Sequence, residues 1–186
     1  MTLFEDIMDD PINQEFTQNH WHPVYRVPAT AKIVIIGQAP SLRVQQTEVM
    51  WNDPSGDRLR NWLGVSREVF YSDAFGVIPM DFYFPGKGQS GDKPPRKGIA
   101  EKWHPQLLAQ MPNVQLIILV GAYAQRYYLN LPKVATTAIV KNGLSYLPTY
   151  LPIVHPSPRN NIWLKKNPWF EAEIVPELQK IVAQIL

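Results

Sequence analysis

The sequence predicts an α/β fold in which four parallel strands alternate with helices. Two runs, residues 32–36 and 114–120, are close to continuously apolar, the mark of strands covered on both faces. Helical patterns separate the strand candidates, which implies βαβ units joined by right-handed crossovers. Two of the strands also lead straight into polar loops carrying proline, the position where an open α/β sheet gathers its chemistry.

The elements follow in order. Residues 2–27 are mixed, with Trp21 and Tyr25 on either side of Pro23, and are expected to form a helix and a loop wrapped on the domain. Residues 32–36 are the clearest strand, and residues 37–53 read as a long loop or a short helix. Asp53-Pro54-Ser55-Gly56 reads as a helix start, with Leu59, Trp62 and Leu63 as the apolar face and Gly64 as the stop. Residues 69–75 read as the second strand. Residues 78–102 are expected to be irregular, because Pro79, Pro85, Gly86, Gly88, Gly91, Pro94, Pro95 and Gly98 break any period. Loops of that length in a compact domain are usually functional or mobile. A helix over about 103–111 leads to the third strand at 114–120. Gly121 opens a helix over 122–129, and residues 150–154 form the fourth strand. The final helix spans about 168–186, with Ile174, Leu178, Ile181, Val182 and Ile185 along one face. No internal repeat or linker interrupts the chain, so a single domain over 1–186 is expected.

The 186 residues suffice for a full hydrophobic core, and 45% hydrophobic against 18% charged residues places the chain among globular proteins. There is no cysteine, which excludes disulfides, thiol catalysis and cysteine-ligated zinc or iron–sulfur clusters. That suits a cytoplasmic protein. No signal peptide or spanning segment is visible, and no membrane association is expected. His20, His22 and His104 are dispersed, so no metal site is expected. The formal charge of +2 is too small to argue for nucleic acid by itself, so the local distribution of charge has to carry that case. Proline is abundant, 18 residues, and punctuates loops, which suits stiff, preorganised connections.

The two loops after strands carry the chemistry. The first is Gly37-Gln38-Ala39-Pro40-Ser41, after the strand at 32–36. The second is His155-Pro156-Ser157-Pro158-Arg159-Asn160, after the strand at 150–154. A histidine there can act as a neutral hydrogen-bond donor or as an acid–base group near pH 7. Serine and backbone N–H groups suit a phosphate, and arginine and asparagine suit a base or a groove. Read singly, each feature has an ordinary structural explanation: a capped strand end for His155, a tight strand exit for Gly37, a core residue for Trp51, a helix cap or loop residue for Asp73, a solvated face for Lys165 and Lys166.

Taken together, the strand followed by Gly37-Gln38-Ala39-Pro40-Ser41, and the strand followed by His155-Pro156-Ser157-Pro158, resemble the uracil-DNA glycosylase superfamily over about residues 32–186. The resemblance implies a three-layer α/β/α sandwich with a central four-stranded parallel sheet. It implies hydrolysis of the N-glycosidic bond of a damaged base, flipped out of the DNA stack into a pocket. On that resemblance His155 donates to O2 of the departing base. Gly37, Gln38, Ala39 and Ser41 place backbone groups along the base and the attacking water. Trp51, five residues before Gly56, stacks on the base, and Asp73 stands where relatives carry a base-reading asparagine. Ser157 binds a phosphate, while Arg159 and Asn160 fill the hole left by the flipped base. Lys165 and Lys166, with Lys93, Arg96 and Lys97, could line a phosphate track.

Three positions depart from the family pattern. Ala39 stands where the most active branch has a water-activating aspartate, which shifts the burden to leaving-group stabilisation. Ser41 stands where that branch has an aromatic wall against thymine. Asp73 accepts from N3–H of uracil but cannot donate to O4 when ionised. The expected protein is a cofactor-free, monofunctional glycosylase, a monomer whose partner is DNA containing a damaged base. The rival is a catalytically silent nucleic-acid or nucleobase binding protein on the same scaffold. A nucleotide-binding α/β protein unrelated to repair is a weaker third, lacking a glycine-rich phosphate loop.

Overall fold

The computed structural model describes residues 1–186. The chain begins with two short helices, α1 (Leu3–Asp9) and α2 (Gln14–Gln18), linked by a 3₁₀ turn. Strand β1 (Ile33–Ile36) follows, then helices α3 (Leu42–Thr47), α4 (Pro54–Leu63) and α5 (Arg67–Phe70), and strand β2 (Phe75–Val77). A two-stranded hairpin, β3 (Lys87–Gly88) and β4 (Gly91–Asp92), precedes α6 (Ile99–Ala109), β5 (Leu116–Val120), α7 (Ala122–Tyr128) and α8 (Thr136–Lys141). Strand β6 (Tyr150–Ile153), α9 (Asn161–Lys166), a π-helical turn over Phe170–Ile174 and α10 (Val175–Ile185) complete the chain.

The main sheet has the order β2-β1-β5-β6, and every neighbouring pair is parallel. The expected four-stranded parallel sheet flanked by helices is therefore the observed one. Alternation along the strands divides the core in two. Ile33, Ile35, Leu116, Ile118, Val120, Leu151 and Ile153 point to one face, against Leu59, Trp62 and Leu63 of α4 and Leu178 and Val182 of α10. Val34, Ile36 and Leu119 point to the other, against Ile99, Trp103 and Leu107 of α6, Ala124 of α7 and Ile7 of α1. Cover on both faces, complete for β1 and nearly so for β5, explains why both strands are apolar at every position. No helix is long and apolar enough to cross a membrane.

Strand β6 lies at the sheet edge and contains Pro152. The carbonyls of Thr149 and Ile153 accept from Ile117 and Gly121 on the β5 side. By alternation Pro152 faces away from β5, toward the turn Gly143–Tyr146, on the unladdered side where a residue without an N–H is tolerated.

Two expectations fail on either side of β2. The run at 69–75 is mostly not a strand. Ser66 caps a short helix there, its hydroxyl accepting from the Val69 N–H at 3.1 Å, and only Phe75–Val77 enters the sheet. Asp73 accordingly precedes β2. The segment 78–102 is not irregular throughout, since it holds the hairpin and the first turn of α6, which starts at Ile99 rather than 103. The final helix begins as a π-helical turn, and α8 and α9 were not anticipated.

Candidate active site

The parallel sheet brings the loops after β1, β2, β5 and β6 to one end. Backbone bonds stitch them together. The N–H groups of Met80 and Asp81 donate to the carbonyls of Gly37 and Gln38, at 2.9 and 3.1 Å. Buried Gln125 donates through Nε2 to the carbonyls of Leu119 and Ile153, at 3.1 and 2.8 Å, and so holds the ends of β5 and β6 together. Between the loops lies a cleft of about 530 Å³, within the usual size range for small-molecule sites. Gly37, Gln38, Ala39, Ser41, Trp51, His155, Ser157, Arg159 and Asn160 all line it.

His155 is the best-determined group. The backbone N–H of Ser157 donates to its Nδ1 at 3.1 Å. Nδ1 is therefore an acceptor, and the ring proton of the neutral imidazole sits on Nε2. Burial lowers the pKa of His155 below the ordinary histidine value, opposed by the carboxylate of Asp53. The loop is tied down as well. Asn160 Nδ2 donates to the His155 carbonyl at 2.7 Å, and Arg58 of α4 reaches the Ser157 carbonyl at 3.4 Å. Ser157 Oγ accepts from the Arg159 N–H at 3.2 Å.

Trp51 is buried, 6% exposed, and its ring centroid lies 5.6 Å from that of His155 at 36°. It adopts φ of 60°, a left-handed conformation rare for a bulky residue and indicative of a constrained position. Two glycines make room for it. A Cβ at Gly37 would meet the indole at 3.0 Å, and one at Gly56 would lie 1.7 Å from the Trp51 carbonyl oxygen. That carbonyl also accepts from buried Arg60 at 3.1 Å. Trp51 Nε1–H has no hydrogen-bond partner within the protein.

One wall of the cleft was not legible in the sequence. Lys87, Ser90 and Asp92 of the β3–β4 hairpin line the cleft, with Lys87 and Asp92 paired at 2.7 Å. The guanidinium of Arg159 lies against Gly91, where an added Cβ would fall 2.2 Å from Nη1. Gly91 has φ of 96°, which also favours glycine. Asp53, Ser55 and Tyr123 line the cleft too. Asp53 was read only as a helix cap, a role it does fill, accepting from the Gly56 N–H at 2.8 Å. The spacing of Gly86, Gly88 and Gly91 around Gln89-Ser90 was the available signal for the hairpin.

Other predicted residues lie elsewhere. Asp73 is at the amino end of β2, exposed and paired with Arg26 at 2.7 Å, and is not among the cleft residues. Its expected position at the strand's exit is corrected to the opposite end of the sheet. Lys165 and Lys166 are exposed on α9 and do not line the cleft. Arg96 is withdrawn from the expected phosphate track: it grips buried Asp81 through Nε and Nη2, each at 2.8 Å, and donates to Asn13 and the Ile12 carbonyl. Ser41 Oγ is engaged in capping α3, accepting from Val44 at 3.2 Å.

The resemblance drawn from the two loops extends to comparison with known proteins. A solution NMR structure from Methanosarcina acetivorans, presented as a candidate uracil DNA glycosylase, is similar in fold, with 16% identity over 82% of this chain and 92% of that chain and a TM-score of 0.50. The model of the family described as the uracil DNA glycosylase superfamily matches residues 24–179, from ahead of β1 into α10 and across both cleft loops. That match covers well over half of the sequence, and the chain belongs to the uracil DNA glycosylase superfamily.

Proposed function

We propose that this protein is a monofunctional DNA glycosylase that releases uracil or a related deaminated base from DNA. The observation that carries the reading is the His155–Ser157 hydrogen bond, which leaves a neutral imidazole with its proton on Nε2 in a cleft of base-binding size. In the reaction the bond from C1′ to the base nitrogen breaks, and its electron pair leaves with the base. The sugar becomes oxocarbenium-like and is captured at C1′ by water, whose proton passes to solvent or to the released base. The site's task is to stabilise negative charge developing on the base. A neutral imidazole can do this by donating from Nε2 to a carbonyl oxygen without transferring the proton.

The remaining parts fit this role. Gly37, Gln38, Ala39 and Ser41 supply backbone groups along the base, and Trp51 supplies an aromatic wall. Ser157, Arg159 and Asn160 meet the DNA at the rim. Lys87 is the one lysine lining the cleft, and its ammonium is held by Asp92. It is thus an ion-pair partner rather than an imine-forming amine, and no covalent intermediate is invoked. The protein acts as a monomer without a cofactor.

A silent binding protein is favoured by one observation: Ala39 offers no carboxylate to activate water. The two acidic residues lining the cleft, Asp53 and Asp92, are engaged in capping and in the ion pair. The readings separate on labelled oligonucleotides carrying uracil, hypoxanthine or xanthine, single-stranded and paired, with alkali to reveal abasic sites. Release by the wild type, slowed on the order of 10²–10³ in His155→Ala, supports the enzyme. No release from any substrate at excess protein sinks it and favours the binding protein.

A further inference from the structure

A second groove, of about 470 Å³, runs beside the cleft between α6 and α7. Tyr123 lines both, so the two are adjacent and share a wall. Tyr123 and Tyr127 stand four residues apart on α7, hence on one face, and are 39% and 36% exposed. Their neighbour Tyr128 turns inward instead, its hydroxyl 2.6 Å from Nδ1 of buried His104. Tyr127 is braced edge-on by Tyr128, at 5.0 Å and 84°, and by His104, at 6.4 Å and 82°. An exposed aromatic ring held by packing is a platform that loses little freedom when a ligand stacks on it. Exposed Arg126 and Lys97 line the same groove, and Glu101 is the only carboxylate lining it. Aromatic rings next to free cations, in a groove beside a base-sized cleft, match the way single strands are bound without sequence preference.

We propose that this groove binds the strand flanking the target nucleotide as single-stranded nucleic acid. One base stacks on Tyr127, and the phosphates lie toward Arg126 and Lys97. The identity of the target nucleotide rests on the glycosylase reading; the groove's ligand class does not. The groove has no row of aliphatic anchors of the kind an amphipathic peptide would use.

The test uses the full chain and single-stranded oligonucleotides in which a fluorescent purine analogue, dimmed by stacking, is moved stepwise upstream and downstream of a uracil. The expected result is dimming at a flanking position on one side only. Tyr127→Ala restores that emission and weakens binding on the order of tenfold. Arg126→Ala weakens binding and flattens the salt dependence by about one unit of log–log slope. An oligonucleotide cut back on that side is bound equally by the wild type and Tyr127→Ala. Should Tyr127→Ala fail to fold, as judged by its melting curve, Arg126→Ala decides on its own readouts. No dimming at any flanking position, or unchanged affinity in the deciding variant, overturns the proposal. None of these readouts needs turnover. A protein that binds as described but releases no base retains the subsite and loses the glycosylase reading.

Discussion

The backbone N–H of Ser157 donates to Nδ1 of His155 at 3.1 Å, and this one bond sets the tautomer of the imidazole. Protonating the ring would place a second N–H on Nδ1, directly against that donor. Burial acts in the same direction, holding the pKa below the ordinary value. Base release should therefore be flat around neutral pH and fall on the acid side, with a midpoint below 6.5, the ordinary histidine value. Single-turnover rates across pH check this, and an acid-side midpoint above the ordinary value contradicts it. His155→Ala should cost on the order of 10²–10³ in rate while DNA binding persists.

Gly56 tests the seat of Trp51. A methyl group there would fall 1.7 Å from the Trp51 carbonyl oxygen, so that peptide must move and its bond from Arg60 must stretch. Gly56→Ala should destabilise the protein by about 1–3 kcal/mol. It should also slow base release, because the displaced indole packs on His155. Chemical denaturation and single-turnover rates measure the two effects. Unchanged stability would show that the α4 start gives way freely.

Arg96 and Asp81 form a buried pair that reaches the cleft through the backbone. Asp81 is fully buried, and its N–H donates to the Gln38 carbonyl at 3.1 Å. Arg96→Met would leave that carboxylate with only the backbone N–H groups of Tyr83 and residue 96, at 3.2 and 3.0 Å, and should cost up to about 3 kcal/mol, the low end for breaking a buried pair. Replacing both residues with apolar side chains of similar volume should be less harmful than Arg96→Met alone. Urea unfolding of the single and double variants decides whether the pairing or the desolvation dominates.

His104 makes stability depend on pH. Burial pushes its pKa down to about 4, and its Nε2–H donates to the Pro79 carbonyl at 2.9 Å. A depressed histidine pKa means that the unfolded chain binds the extra proton first. Stability associated with His104 is whole above pH 6.5 and is lost progressively as pH falls from 6.5 toward 4. The loss should approach about 3 kcal/mol. His104→Gln, which does not titrate, should lack that part of the acid dependence. Unfolding curves of both proteins at neutral pH and near pH 4 give the comparison.

The sheet and the two central loops were legible because their signals are local. Ile33–Ile36 and Leu116–Val120 are apolar at every position, and His155 lies just past the end of a strand. The stretch before β2 misled because Val69, Phe70 and Tyr71 satisfy a strand pattern and a capped helical turn equally well. Ser66, at the cap, was the deciding residue. That single misreading carried Asp73 to the wrong end of the sheet. The hairpin wall was hidden for a different reason. It joins the site through the contact of Arg159 with Gly91, a long-range packing that no local period encodes.

Pro152 has a consequence beyond the geometry of β6. The strand that delivers His155 is the outermost strand of the sheet, the position where an uncovered side would be a template for another chain. That side is covered: the turn Gly143–Tyr146 packs against it, and a Cβ at Gly143 would lie 3.3 Å from the Pro152 carbonyl oxygen. Pro152 has no proton to offer there, so even a displaced turn would expose a gap in the ladder. The protein can thus carry its key histidine on a sheet margin without inviting strand-by-strand self-assembly.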